Sequence, residues 1–176
     1  MPEAEIVAGE HGDVPRGEGW YVLNAARAAW QIAPPGFGGA DLSFEGDARF
    51  ADFGFHLGVL APGEPTGMYH SEDNQEGFLV LSGECLAVVE GSERVLRAWD
   101  YLHCPAGTPH ILVGAGSGPC VVLGIGSRHA DGTVYLPDPA AARHGAAVAA
   151  QTESPAEAYE DVGTMVTGPA PELPRL

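Results

Sequence analysis

An all-β fold is what this sequence predicts, as a barrel or sandwich of short strands. Its 176 residues include 25 glycines and 15 prolines, which punctuate the chain too often for long helices. Short apolar runs recur along residues 53–128 with turn signals between them at the close spacing of an all-β domain. No strand–helix–strand alternation appears, which disfavours a doubly wound parallel sheet. The length suits one domain with tails rather than two.

Taken in order, residues 1–19 are acidic, glycine-rich and aperiodic, and are expected to form an N-terminal arm. Trp20 opens the barrel domain, assigned to residues 20–137 with a motif-bearing core at 53–128. Residues 25–30 (AARAAW) are expected to make one or two helical turns, and 33–39 (APPGFGG) a loop by turn chemistry. Strands are then predicted at 53–60, 66–72, 77–81, 85–89, 94–98, 101–104, 110–113 and 121–125. Ser82-Gly83, Glu90-Gly91-Ser92 and Gly114 to Gly118 supply turns between them. A C-terminal helical segment and tail, residues 138–176, should hold two short helices. The first is capped by Asp138 with Pro139 at its first position; the second covers 155–159. Residues from 168 onward read as irregular.

Eight basic residues against 24 acidic ones give a formal charge of −16, which opposes binding to nucleic acid. Cys85, Cys104 and Cys120 lack the paired spacing of a disulfide framework or zinc knuckle, so buried thiols are expected. The uncharged stretch 111–127 contains five glycines and one proline, which suits two strands and a turn better than a membrane span. The N-terminus lacks a basic start and apolar run. A soluble, cytoplasmic protein without membrane partners is the expectation.

The chemistry concentrates in two segments. Residues two apart on a strand face one side, so His70 and Glu72 should project together into the barrel. A turn at 73–75 then places Glu76 at the mouth, and His110 opens a later strand after the turn 105–109. His70, Glu72, Glu76 and His110 are thus candidate ligands for one divalent transition metal. Imidazole and carboxylate without thiolate suit Fe(II), Mn(II), Co(II), Ni(II) or Zn(II). His70, Glu76 and His110 alone would form a two-histidine, one-carboxylate set with open positions, and Glu72 would make the site more anionic. His56, Met68, Phe78 and His103 are candidate pocket residues: His56 as a general base, Met68 and Phe78 as an apolar wall by inward parity, His103 as a substitute nitrogen. Tyr69 should face away from the barrel centre. His11, His129 and His144 have no partner spacing.

These segments resemble the cupin family, whose first motif reads G-x5-H-x-H-x3or4-E-x6-G and whose second reads G-x5-P-x-G-x2-H-x3-N. His70, Glu72, Glu76 and Gly83 fall on the first motif, with Glu72 where the family usually has its second histidine. Pro105, Gly107 and His110 fall on the second. Gly63 lies one residue early for the opening glycine, Trp99 stands at the glycine of the second motif, and Gly114 replaces its asparagine.

The resemblance implies a double-stranded β-helix, or jelly-roll barrel, holding one metal ion and a small-molecule ligand. It further implies a metal-dependent enzyme, dioxygenase-like because imidazole and carboxylate sites with open positions suit Fe(II). A non-catalytic ligand-binding barrel with a structural metal, or a metal-dependent isomerase or epimerase, is the alternative. Pairing through edge strands into a homodimer is expected as well.

Overall fold

The computed structural model describes residues 1–173. Residues 174–176, the end of the tail read as irregular, lie outside them. The described residues hold fourteen strands and two four-residue helices, so the all-β expectation holds.

The chain starts differently from the expectation. Glu5–Gly9 (β1) and Gly12–Arg16 (β2) form an antiparallel hairpin where an aperiodic arm was expected. Its register comes from packing that the local pattern does not show. Asp13 N–H donates to the Arg27 carbonyl at 2.7 Å, and Ala29 N–H returns to the Asp13 carbonyl at 3.2 Å. Gly12 lies so close that a Cβ would sit 2.5 Å from the backbone of Ala28. Residues 25–30 therefore serve as a turn and a bridge to β2, not as a helix.

Then follow Trp30–Ile32 (β3), Ala40–Leu42 (β4), Phe53–Leu60 (β5), His70–Glu72 (β6) and Glu76–Ser82 (β7). Glu84–Val89 (β8), Ser92–Arg97 (β9), Tyr101–Cys104 (β10), His110–Ala115 (β11), Cys120–Ser127 (β12) and Thr133–Tyr135 (β13) complete the barrel strands. Pro139–Ala142 (α1), Pro155–Ala158 (α2) and Val166–Gly168 (β14) end the regular structure. The seven-stranded sheet runs β10-β7-β12-β5-β4-β3-β14 and the five-stranded sheet β13-β6-β11-β8-β9, every pairing antiparallel.

The two sheets share a core, to which one contributes Leu60, Val80, Cys120 and Val122, and the other Cys85, Ala87, Leu96 and Leu112. Each fully buried Leu or Val contributes about 1.5–3 kcal/mol. All three cysteines are free and buried. The outer faces are covered too. Leu57, Val59 and Val121 cluster with Trp30 and Leu42 of the same sheet, and Leu23, Phe44 and Leu173 pack against them, while Tyr69, Val88, Ile111 and Val113 pack under Ala140, Ala141 and Ala146. Asp138 caps α1 by accepting from Ala140 and Ala141, with proline next to the cap, as its sequence predicts.

The strand expected over 66–72 is shorter. Only 70–72 is extended as β6, because Met68 and Tyr69 give their N–H groups to the C-terminal segment instead of a sheet neighbour. Tyr69 N–H donates to Ala146 at 2.6 Å, and Met68 N–H to the Tyr159 hydroxyl at 3.2 Å. Among the described residues no helix is long and apolar enough to cross a membrane.

Candidate metal centre

Three strands from both sheets converge at one end of the shared core. His70 on β6 and His110 on β11 are register partners, and Glu76 opens β7 in the opposite sheet. The turn between β6 and β7 is pinned by Asn74. Its Oδ1 accepts from the N–H groups of His129 and Ala130 at 2.9 and 3.0 Å, and its Nδ2 donates to the Ala130 carbonyl at 2.6 Å. The turn before His110 is joined to β6 through Gly107 N–H, which donates to the Glu72 carbonyl at 2.6 Å. Gly107 has φ +78°, a conformation that favours glycine.

One ligand atom from each of His70, Glu76 and His110 lies within 4.8 Å of the others. The two imidazoles are held alike. His70 Nδ1 lies 2.7 Å from the Met68 carbonyl, and His110 Nδ1 2.9 Å from the Thr108 carbonyl. A carbonyl only accepts, so each Nδ1 carries the proton and a neutral ring presents Nε2 as a lone pair. His110 Nε2 stands 3.1 Å from Glu76 Oε2, a buried oxygen with no other hydrogen-bond partner. Two facing acceptors at this distance need a cation between them, either a proton or a metal ion. The donor set fits a divalent transition ion.

The titration behaviour follows from the same contacts. Burial pulls the His110 imidazolium down, but its hydrogen bonds to Cys104, Glu76 and Thr108 push it up further, to about 10. His70 is lowered, first by burial and opposed by its bond to Met68. Burial, and then the charge of Glu76, raises the Glu72 carboxyl above its ordinary value.

Glu72 stands beside the group of three and not within it, its Oε1 3.7 Å from His70 Nε2 and its side chain 29% exposed. His56 and Phe78 line the same cavity, of about 190 Å³, as His70, Glu76 and His110. The Phe78 ring lies 5.2 Å from that of His110. His56 Nδ1 is held by Asp41 Oδ2 at 3.0 Å, and that carboxylate raises its pKa against the opposing effect of burial. Met68 and His103 are not among the residues lining this cavity. Met68 lies in the bent segment before β6, and His103 lines a separate depression of about 140 Å³ with Phe53, Tyr101 and Ile125.

Sequence reasoning missed Asp41, Thr66, Tyr135 and Tyr159. Thr66 lines the cavity, and Tyr135 stacks 6.1 Å from His70 and 5.6 Å from Tyr159. Asp41, Tyr135 and Tyr159 lie far from the motifs in sequence, so no local spacing marks them.

Among solved structures, a protein from Acidithiobacillus ferrooxidans assigned as a sugar phosphate isomerase is similar at 28% identity and TM-score 0.44, over 47% of this chain and 54% of that one. The chain thus spans about half the length of that protein. A sugar phosphate isomerase from a cupin superfamily of Silicibacter pomeroyi is 26% identical with TM-score 0.47, over 57% of this chain and 71% of its own. KdgF from Halomonas sp. is 22% identical with TM-score 0.47, over 57% of this chain and 88% of its own. No curated protein matches the chain. Residues 56–126, which carry all three clustered side chains, match the family model of the cupin domain.

Proposed function

We propose that the barrel is the active site of a metal-dependent enzyme acting on a small metabolite, with His70, Glu76 and His110 holding one divalent transition ion. The observation that carries this reading is the convergence of one ligand atom each from His70, Glu76 and His110 within 4.8 Å, with the buried Glu76 Oε2 facing His110 Nε2 at 3.1 Å and no other partner. Bound there, the ion supplies Lewis-acid polarisation of a substrate oxygen. Three protein ligands leave coordination positions open, whereas a closed protein cage marks a structural site. That difference favours catalysis over a stiffening role.

Glu72 supplies the second component. Its carboxyl is raised by burial and by Glu76, and it stands 3.7 Å from His70 Nε2 at the more exposed side of the cluster. A carboxyl so placed donates or accepts a proton next to an ion-polarised carbonyl. We therefore assign Glu72 to proton transfer instead of ligation, in an isomerisation or epimerisation. His56, held by Asp41, orients the substrate from the opposite wall.

Dioxygen chemistry is the second reading, favoured by the donor set itself, since two imidazoles and one carboxylate with open positions suit Fe(II). Elemental analysis of protein purified without a metal-binding tag separates the two. Selective iron occupancy with oxygen uptake supports the oxygenase reading, and full occupancy by a redox-silent ion such as Zn(II) supports proton transfer. Stripped protein that takes up none of Fe(II), Mn(II), Co(II), Ni(II) or Zn(II) contradicts both.

A further inference from the structure

A second, larger cavity adjoins the metal centre. It measures about 490 Å³, and Thr66 lines both spaces. Its walls come largely from outside the family-matched residues, from the loop 33–38 and the segment 159–165 after α2, closed against β5. Phe37, Leu60, Val162 and Met165 make it mainly apolar. Its polar groups are largely committed: Asp41 holds His56 at 3.0 Å, and the Tyr159 hydroxyl accepts from Met68 N–H at 3.2 Å. At Gly58 on β5 an added Cβ would meet only the Val122 carbonyl, at 3.8 Å, so the missing side chain keeps this wall open. A run of aromatic contacts, Phe37 to Tyr159 at 6.0 Å, Tyr159 to Tyr135 at 5.6 Å and Tyr135 to His70 at 6.1 Å, leads from the wall of the larger cavity to the metal centre.

We infer that this cavity receives the apolar tail of the substrate, and that the substrate is a monoanionic organic acid whose carboxylate head lies at the metal centre. The inference rests on the proposed metal site. A divalent ion with one carboxylate ligand and two neutral imidazoles keeps a single positive charge, which one anionic head neutralises. The cavity of about 490 Å³ lies within the common range of small-molecule sites, about 300–1,000 Å³, whereas that of about 190 Å³ lies below it. A molecule charged at both ends would leave its far charge unpaired against an apolar wall.

Calorimetric titration of Zn(II)-loaded full-length protein with acetate, octanoate and suberate tests this. Octanoate is expected to bind at least about 100-fold more tightly than acetate, since each buried methylene contributes about 0.8 kcal/mol. Suberate, with a second carboxylate at the tail end, is expected to gain nothing over acetate. Gly58→Val fills the open wall, and Met165→Asp puts a negative charge at a rim position that is 44% exposed. Each should bring octanoate down to the affinity of acetate while Zn(II) uptake stays unchanged. Equal binding of octanoate and acetate to the loaded parent protein overturns the tail subsite and leaves the metal reading standing. Octanoate bound equally well without Zn(II) overturns the placement of its head. Failure to take up Zn(II) or any other divalent transition ion overturns the metal reading itself.

Discussion

At His110 a proton and a metal ion compete for one nitrogen. With Nδ1 committed to Thr108, Nε2 either carries a proton toward Glu76 or ligates an ion, so metal uptake must displace that proton. In the metal-free protein the His110 pKa is raised to about 10, against about 6.5 for an unfolded histidine. A raised value makes the imidazolium–carboxylate pair stabilising below the unfolded pKa, and that contribution is lost as pH rises through the folded one. Thermal melts of stripped protein should therefore show stability falling between about pH 6.5 and 10, with the metal-loaded protein resisting the fall. His70 is lowered and acts in the other window, withdrawing stability as pH drops below about 6.5. A stripped protein whose melting temperature is flat or rising across the alkaline window would contradict the pairing.

The spacing of His70, Glu76 and His110 was legible because strand alternation and turn chemistry are local. The offset of Glu72 was not, since it depends on β6 being three residues long, which contacts with Ala146 and Tyr159 determine from far along the chain. His103 was ambiguous for a related reason: β10 is four residues long, too brief for its pattern to show which side of the sheet each residue takes.

Two departures from the family motifs acquire physical meaning in the elements that carry them. Trp99 occupies the third position of the turn from Arg97 to Asp100, whose N–H donates to the Arg97 carbonyl at 2.9 Å. It has φ +76° and is 72% exposed, a conformation that costs a bulky residue about 1–3 kcal/mol. Trp99→Gly should accordingly stabilise the fold by about 1 kcal/mol in chemical denaturation.

Gly114, at the position of the motif's asparagine, lies against the turn after β5. It donates to the Glu64 carbonyl and accepts from Gly63 N–H, both at 2.8 Å. A Cβ there would collide with the Ala61 carbonyl. Gly114→Ala is expected to cost about 1–3 kcal/mol in the same assay, as overpacking does. The strands from 53 to 127 were readable from apolar runs between turn signals. The β1–β2 hairpin, β13 and β14 were not, because each is specified by a distant partner: Arg27 and Ala28 for the hairpin, Ser71 for β13, and Gln31 for β14.

For the whole molecule, the segments on either side of the family-matched residues complete the barrel. Trp30 and Leu42 extend one sheet through β3 and β4, α1 and Ala146 cover the other, and the chain from 159 to 165 closes the larger cavity. The formal charge of −16 sets a self-repulsion that added salt screens. The melting temperature should therefore rise when monovalent salt is increased from about 10 to 150 mM, over which the Debye length falls from about 30 to 8 Å.

The measurement closest to the central claim is metal-linked stability in the parent chain and in Glu76→Gln and His110→Ala. An ion that binds only the folded state, supplied at about 100 times its dissociation constant, adds about 2.7 kcal/mol. The parent chain should gain that stability and bind about one equivalent of metal, and both variants should lose the gain while remaining folded. A melting temperature indifferent to Fe(II), Mn(II), Co(II), Ni(II) and Zn(II) in the parent, or an equal rise in all three proteins, would contradict a centre built from His70, Glu76 and His110.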